Sequence, residues 1–318
     1  MSEPIFKLRN VSKFFGRKIV LNNISLDIHN GEIFGVIGAS GSGKTTLLNT
    51  LIGYYRPERG DVLFRHKESR YTSIYARQSL AKKMFGFASQ EPSYYNKLTV
   101  KENLAYFGSL YGLSSAAIQK NSRILIDLMD LRGSEHVLSE NLSGGMERRL
   151  DIACALIHNP PVIILDEPTA DLDPYLCEHI HDIIKTINSL GTTVIISSHR
   201  LIDMERLCMR IAILSRGKLL VTGSPEEIRG RRSKGDVILI ESYPGEYTKI
   251  QEKLAKDLAS EIVGTHLRIT TTRTPEAIKD IITLFEKAKE DIIDLRIIKP
   301  SLEDVFITLL EEAKGGAR

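Results

Sequence analysis

The run Gly38-Ala39-Ser40-Gly41-Ser42-Gly43-Lys44-Thr45 fits the pattern G-x-x-x-x-G-K-[ST]. Its chemistry is that of a phosphate cradle. The glycines let the backbone turn tightly and aim its N–H groups inward. Lys44 supplies a point charge for β- and γ-phosphates, and the Thr45 hydroxyl is a ligand for Mg²⁺. A helix is expected from Lys44, so Thr46 lies in its first turn, where the positive helix end also favours an anion. Gly38, Ser40, Gly41, Ser42, Gly43, Lys44, Thr45 and Thr46 are therefore the candidate contacts to a nucleoside triphosphate. The apolar run Ile33-Phe34-Gly35-Val36-Ile37 precedes them and reads as a buried strand, the context that the pattern requires.

Further groups at the ends of apolar runs add reactive chemistry. Asp166-Glu167 follows Val162-Ile163-Ile164-Leu165. Carboxylates just past a buried strand sit at the carboxyl edge of a sheet, where ligands bind. Asp166 is placed to hold Mg²⁺ through water, and Glu167 to polarise the attacking water as a general base. His199 ends the run that starts at Thr193 and falls on the same edge, within reach of a γ-phosphate. Gln90, in Phe87-Ala88-Ser89-Gln90, can offer its amide oxygen to the metal and its NH₂ to the water. Leu142-Ser143-Gly144-Gly145-Met146 precedes a helix expected near Glu147, and Ser143, Gly144 and Gly145 make a second anion site. One nucleotide needs one cradle. A head-to-tail dimer, in which each chain lends this element to the other's ATP, accounts for two.

The elements that must position these groups alternate. Ile5-Phe6-Lys7-Leu8 and Ile24-Ser25-Leu26-Asp27-Ile28 read as paired strands. The runs before Gly38, Asp166 and His199 are buried strands between helices, which makes an α/β core. Residues 92–159 carry a helical apolar pattern, as in Ile124, Leu125, Leu128 and Met129, and form an inserted helical subdomain. Arg229-Gly230-Arg231-Arg232-Ser233-Lys234-Gly235 reads as a solvated linker. After it come a strand at 237–240, a helix at 247–258, a strand at 267–271, a helix at 275–288 and a strand at 292–298. Ser301, with Asp304 as capping partner, starts a last amphipathic helix. Two domains are expected, 1–229 and 230–318, the second a small α+β module.

Composition narrows the partners. A net charge of +3 over 318 residues is too small to argue for nucleic acid. No apolar stretch approaches the ~20 residues needed to span a bilayer. The N-terminus lacks the pattern of a secretory signal. Cys154, Cys177 and Cys208 are widely spaced and read as reduced core thiols. His179 and His181, two apart on an expected helix, point away from each other and make no metal pair.

Together these residues resemble the ATP-binding cassette (ABC) family over about residues 4–230. Residues 38–45 match its Walker A loop, Gln90 its Q-loop, residues 142–146 its signature, residues 163–167 Walker B, Ala170-Asp171-Leu172-Asp173 its D-loop and His199 its switch histidine. Phe15 falls where the family stacks an aromatic on adenine. Met146 stands in place of the family's usual Gln, and Phe15 in place of the more usual Tyr. The signature followed by Arg148-Arg149-Leu150, and the tail Pro300-Ser301-Leu302-Glu303-Asp304-Val305-Phe306, resemble the type-2 exporter branch. The resemblance implies a P-loop cassette fold with an N-terminal antiparallel β region. It implies ATP and Mg²⁺ as ligands, and a dimer with an identical or related ATPase subunit. It also implies a transmembrane permease subunit on a separate chain, with this chain peripheral on the cytoplasmic face of the membrane. Residues 96–104, with Tyr94 and Tyr95, are then expected near the surface that meets the permease.

The alternative within the family is a soluble ATPase of DNA repair, chromosome organisation or translation. Such proteins carry long heptads, C-x-x-C motifs or tandem cassettes, and none is visible here. A GTPase is disfavoured because Asn96-Lys97-Leu98-Thr99 lacks the Asp of a guanine-reading motif.

Overall fold

The computed structural model describes residues 3–66, 70–232, 235–254, 258–298 and 301–315. Ser233 and Lys234 of the expected linker, and Pro300 of the tail, lie outside the described residues. The chain divides into two units, Met1–Pro225 and Glu226–Arg318.

In the first unit, β1 (Pro4–Phe15) and β2 (Lys18–His29) pair antiparallel, with Phe6 opposite Ile28 and Leu8 opposite Leu26. The alternation seen in the sequence marks only the start of β1 and the end of β2. Next come β3 (Ile33–Ile37) and α1 (Lys44–Leu51). β4 (Arg59–Arg65), β5 (Tyr71–Ser73), α2 (Gln78–Met84) and β6 (Phe85–Ala88) follow. β4 and β5 extend the first sheet in the order β2-β1-β4-β5.

The helical stretch then holds α3 (Val100–Leu110), α4 (Ser115–Leu128) and α5 (Gly144–Leu156). Its one extended contact among the described residues is an isolated bridge between Thr99 and Leu138. Thr99 and Glu102 start α3 with a reciprocal capping box. β7 (Val162–Asp166), α6 (Pro174–Ser189), β8 (Thr193–Ser198), α7 (Leu201–Leu207), β9 (Arg210–Ser215) and β10 (Lys218–Gly223) complete the unit.

The central sheet runs β10-β9-β3-β8-β7-β6, parallel except for the β9–β10 hairpin. Its strands β3, β7 and β8 are buried at every position, which explains their unbroken apolar runs. Phe34, Val36, Ile164 and Ile195 pack with Leu47 and Leu48 of α1 and with Phe6 and Leu8 of β1 in one core. Each such fully buried side chain contributes about 1.5–3 kcal/mol.

A short helix α8 (Pro225–Arg232) leads into the second unit. That unit has β11 (Asp236–Tyr243), α9 (Tyr247–Gln251), β12 (Ala259–Val263), β13 (His266–Thr271), α10 (Thr274–Ala288), β14 (Asp291–Ile298) and α11 (Leu302–Gly315). The sheet order β12-β13-β11-β14 with two helices gives a βαββαβ module of ferredoxin-like topology. The helix expected at 247–258 is shorter. Tyr247, Ile250, Leu254 and Leu258 imitate one helical stripe, but among the described residues of this stretch only 247–251 are helical. Leu254 and Leu258, both outside that helix, reach the same core. Ser301 and Asp304 do form the expected capping box, with Ser301 N–H donating to Asp304 Oδ2 at 2.9 Å and Asp304 N–H to Ser301 Oγ at 3.1 Å.

Candidate functional site

The register of the central sheet explains why distant residues meet. Asp166 pairs with Ser197, and Ile37 with Ser198, so the segments that follow β3, β7 and β8 leave the sheet at one edge. The phosphate loop leaves from β3, Glu167 from β7 and His199 from β8.

The loop is held in shape by its glycines. Gly43 caps α1 at φ 107°, left-handed backbone, and a Cβ there would lie 2.8 Å from the Val20 carbonyl. A Cβ on Gly38 would lie 2.5 Å from the Leu214 carbonyl. Lys44, 6% exposed, folds back across the loop and donates to the Gly38 carbonyl at 2.9 Å. Its ammonium also meets Glu167 Oε1 at 3.1 Å. Glu167 Oε2 in turn lies 2.8 Å from His199 Nδ1. Burial pushes the Glu167 carboxyl up, but the hydrogen bonds from His199 and Lys44 outweigh it and hold it below the usual carboxylate range. Glu167 has φ 47°, strained for a non-glycine residue, and its N–H donates to Ser197 Oγ at 3.0 Å. The Ser197 hydroxyl donates to the Asp166 carboxylate, which is 1% exposed.

An open cleft of about 640 Å³ lies over the loop. Phe15, Ser40, Gly41, Gly43, Lys44, Thr45, Thr46, Gln90 and Glu167 line it. Gly38 and Ser42 do not. Ser42 turns its hydroxyl into the protein, where it has no hydrogen-bond partner, and its N–H is taken by the Ala39 carbonyl at 3.1 Å. Both therefore shape the loop from below. Phe15 is 44% exposed and stands edge-on to Tyr55 at 5.1 Å, so a ring face is available in the cleft.

Sequence reasoning missed one wall. Arg216 and Gly217, both left-handed at φ 48° and 73°, form the β9–β10 turn and line the cleft with Lys18, Ile19 and Val20. Gly217 N–H donates to the Ser42 carbonyl at 2.9 Å, so the turn buttresses the phosphate loop. Arg216-Gly217 between two apolar alternating runs was the available signal.

Ser143 caps α5 and accepts from the Met146 N–H at 3.4 Å. Ser143 and Gly144 are exposed and Gly145 is buried. None of the three lines the cleft of the same chain. Tyr94 is 7% exposed, which removes it as a contact surface, whereas Tyr95 is 49% exposed and packs edge-on against Tyr106 at 4.7 Å. The three cysteines are buried and free. Among the described residues no cluster of His, Cys, Asp and Glu can cage a metal, and no helix is long and apolar enough to cross a membrane.

The chain is similar to known proteins along most of its length. A family model described as "ABC transporter" matches residues 21–170. A "Nod factor export ATP-binding protein I" of Sinorhizobium fredii is 32% identical over 97% of this chain and 86% of its own length. The "Methionine import ATP-binding protein MetN" of Clostridioides difficile is 34% identical over 93% of this chain and 92% of its own. Among solved structures, a dimeric post-hydrolysis state of an ATP-binding cassette bound to ADP and Pi aligns with TM-score 0.61 and 28% identity. It covers 69% of this chain and 98% of that one.

Proposed function

The chain belongs to the ABC transporter family as one of its ATP-hydrolysing subunits, and on that premise we propose that it works as a dimer, drives export through a separate membrane-spanning subunit and uses Glu167 as general base. The observation that carries this reading is the contact chain Lys44–Glu167–His199 at the phosphate loop. Bound triphosphate competes for Lys44. As the ammonium turns to the β- and γ-phosphates, Glu167 loses one of the two partners that depress its proton affinity and becomes a better base. His199, fixed through Nδ1, keeps the carboxylate aimed and leaves Nε2 to face the γ-phosphate. Phe15 supplies the adenine-stacking face.

The oxygen donors present fit Mg²⁺. Thr45 and Gln90 border the cleft, while the Ser197 hydroxyl holds Asp166 back, so Asp166 reaches a metal only through water. Mg²⁺ keeps several waters and takes phosphate oxygens, so it needs no all-protein cage, and when bound it neutralises charge on the phosphates.

Ser143, Gly144 and Gly145 stand at an exposed helix start away from their own cleft and suit the partner's γ-phosphate. That geometry supports two composite sites. The two relatives described above differ in direction. Met146, Arg148-Arg149-Leu150 and the C-terminal tail favour export, with the chain on the cytoplasmic membrane face and its permease on another chain. The test is turnover by Glu167→Gln at saturating ATP. Loss of about 10²–10⁴-fold in kcat with ATP still bound is the expected result. A wild-type rate removes Glu167 as the base.

A further inference from the structure

Arg148 sits on α5 about one turn beyond the Ser143 cap, and its side chain is 10% exposed. Its guanidinium reaches three carbonyls. Nε donates to Pro168 O at 3.0 Å, Nη2 to Asp166 O at 2.8 Å and Nη1 to Ser89 O at 2.6 Å. Nη1 also meets Asp151 Oδ2 at 3.4 Å, so the buried cation has a buried counter-charge. Asp151 is 1% exposed, and its Oδ1 accepts from Ser93 N–H at 3.0 Å and from the Ser93 hydroxyl at 2.6 Å.

The carbonyls are not arbitrary. Asp166 and Pro168 flank Glu167, and Ser89 precedes Gln90. Ser93, on Asp151, lies four residues further along the same loop. Glu167 holds left-handed backbone at φ 47°, a strained conformation that persists only where its neighbours fix it. Ser197 fixes it at its own N–H, and Arg148 fixes the carbonyls on either side. A lysine cannot reproduce the grip, because three acceptors in three directions suit a planar fork and not a single ammonium. Gly86 brings α5 close enough: a Cβ there would lie 2.1 Å from the Ala155 carbonyl, so a glycine lets the helix press on β6, the strand that feeds Ser89 and Gln90.

The geometry points to Arg148, locked by Asp151, as a positioning residue that aims Glu167 and Gln90 from the helix whose N-terminus carries Ser143. This rests on the assignment of Glu167 as base. Arg148 touches no reacting atom; it acts through the backbone of residues 166–168 and 89. Because Ser143 caps the same helix, a shift of Gln90 or Glu167 in a chain's own cleft moves the element offered to the partner's ATP.

The experiment measures steady-state kcat, KM and ATP dissociation constant for the full chain carrying Arg148→Met, Arg148→Lys or Asp151→Asn. Glu167→Gln is measured alone and combined with Arg148→Met. A misplacement near 1 Å costs on the order of 10²-fold in rate. Arg148→Met is therefore expected to lose tenfold or more in kcat, about one to two decades, with the dissociation constant for ATP within about twofold of wild type. Arg148→Lys recovers part of the rate. Arg148→Met adds no further loss on top of Glu167→Gln, because the two act as one unit. A folded Arg148→Met with wild-type kcat, or losses that multiply in the double variant, overturns the inference. Should Arg148→Met fail to fold, the conservative Arg148→Lys and Asp151→Asn decide: wild-type kcat in both overturns it, and reduced kcat at unchanged ATP affinity upholds it. If Glu167→Gln keeps its turnover, the base assignment itself has failed. If Glu167→Gln is inactive while the Arg148 variants run at the wild-type rate, only this inference has.

Discussion

At the scale of single residues, the site is a competition for one ammonium. Lys44 is buried, bonded to the Gly38 carbonyl and paired with Glu167, so its charge is already committed before a phosphate arrives. Removing it leaves Glu167 with one partner and takes the point charge from the phosphates. Lys44→Ala is therefore expected to lose most ATPase activity, and a wild-type steady-state rate would contradict the phosphate-loop assignment. Phe15 acts on a different quantity. Its exposed ring offers stacking worth about 0.5–1.5 kcal/mol, so Phe15→Ala should weaken ATP binding by up to about tenfold with little change in the saturated rate. Equilibrium titration with ATP checks this, and an unchanged Kd takes Phe15 out of the site. These residues were legible because residue type and spacing encode their chemistry directly. The positions of Gly38 and Ser42 beneath the loop were not, because the motif specifies which residues occur and not which way each faces.

At the scale of elements, the α5 segment and the β9–β10 turn hold the site in place. His158, just past α5, stacks on Tyr111 at 3.5 Å, and its Nε2 lies 3.1 Å from the Phe85 carbonyl. Burial lowers its pKa from 6.5 to about 4. As pH falls, the unfolded chain takes up this proton first. The contribution to stability is therefore complete above pH 6.5 and is lost as pH falls through the folded value near 4. Melting temperature should fall across that window, and His158→Gln should flatten the fall. An equally steep decline in the variant would assign the effect to other groups. The turn is tested by Gly217→Ala, whose Cβ would sit 2.4 Å from the Val20 carbonyl on left-handed backbone. It should lower both melting temperature and ATP affinity, since Gly217 supports Ser42. Unchanged values of both would make the turn a bystander. The buried strands β3 and β7 could be read from their apolar runs. The β4–β5 hairpin could not, because its half-buried strands leave no unbroken run, whereas β9 does carry a run, Ile211–Leu214, just before Arg216-Gly217. The α9 helix is shorter than its apolar stripe because Leu254 and Leu258 join the same core from outside the helix.

At the scale of the whole molecule, one chain holds a phosphate loop and a second candidate anion-binding element that do not share a cleft. Lys44 of the phosphate loop meets Glu167, which in turn meets His199, while Ser143 and Gly144 stand exposed at the start of α5. The alternation of strands and helices made the α/β cassette readable, and its family is shown by relatives that match along nearly the whole chain. The proposed pairing of two chains is not written in any one element; the proposal rests on the mismatch between two candidate cradles and one nucleotide. The most direct test is the mass in solution of Glu167→Gln, measured by light scattering with and without ATP and Mg²⁺. The account predicts a monomer without nucleotide and a stable dimer with ATP. A variant that binds ATP and stays monomeric would contradict the composite site.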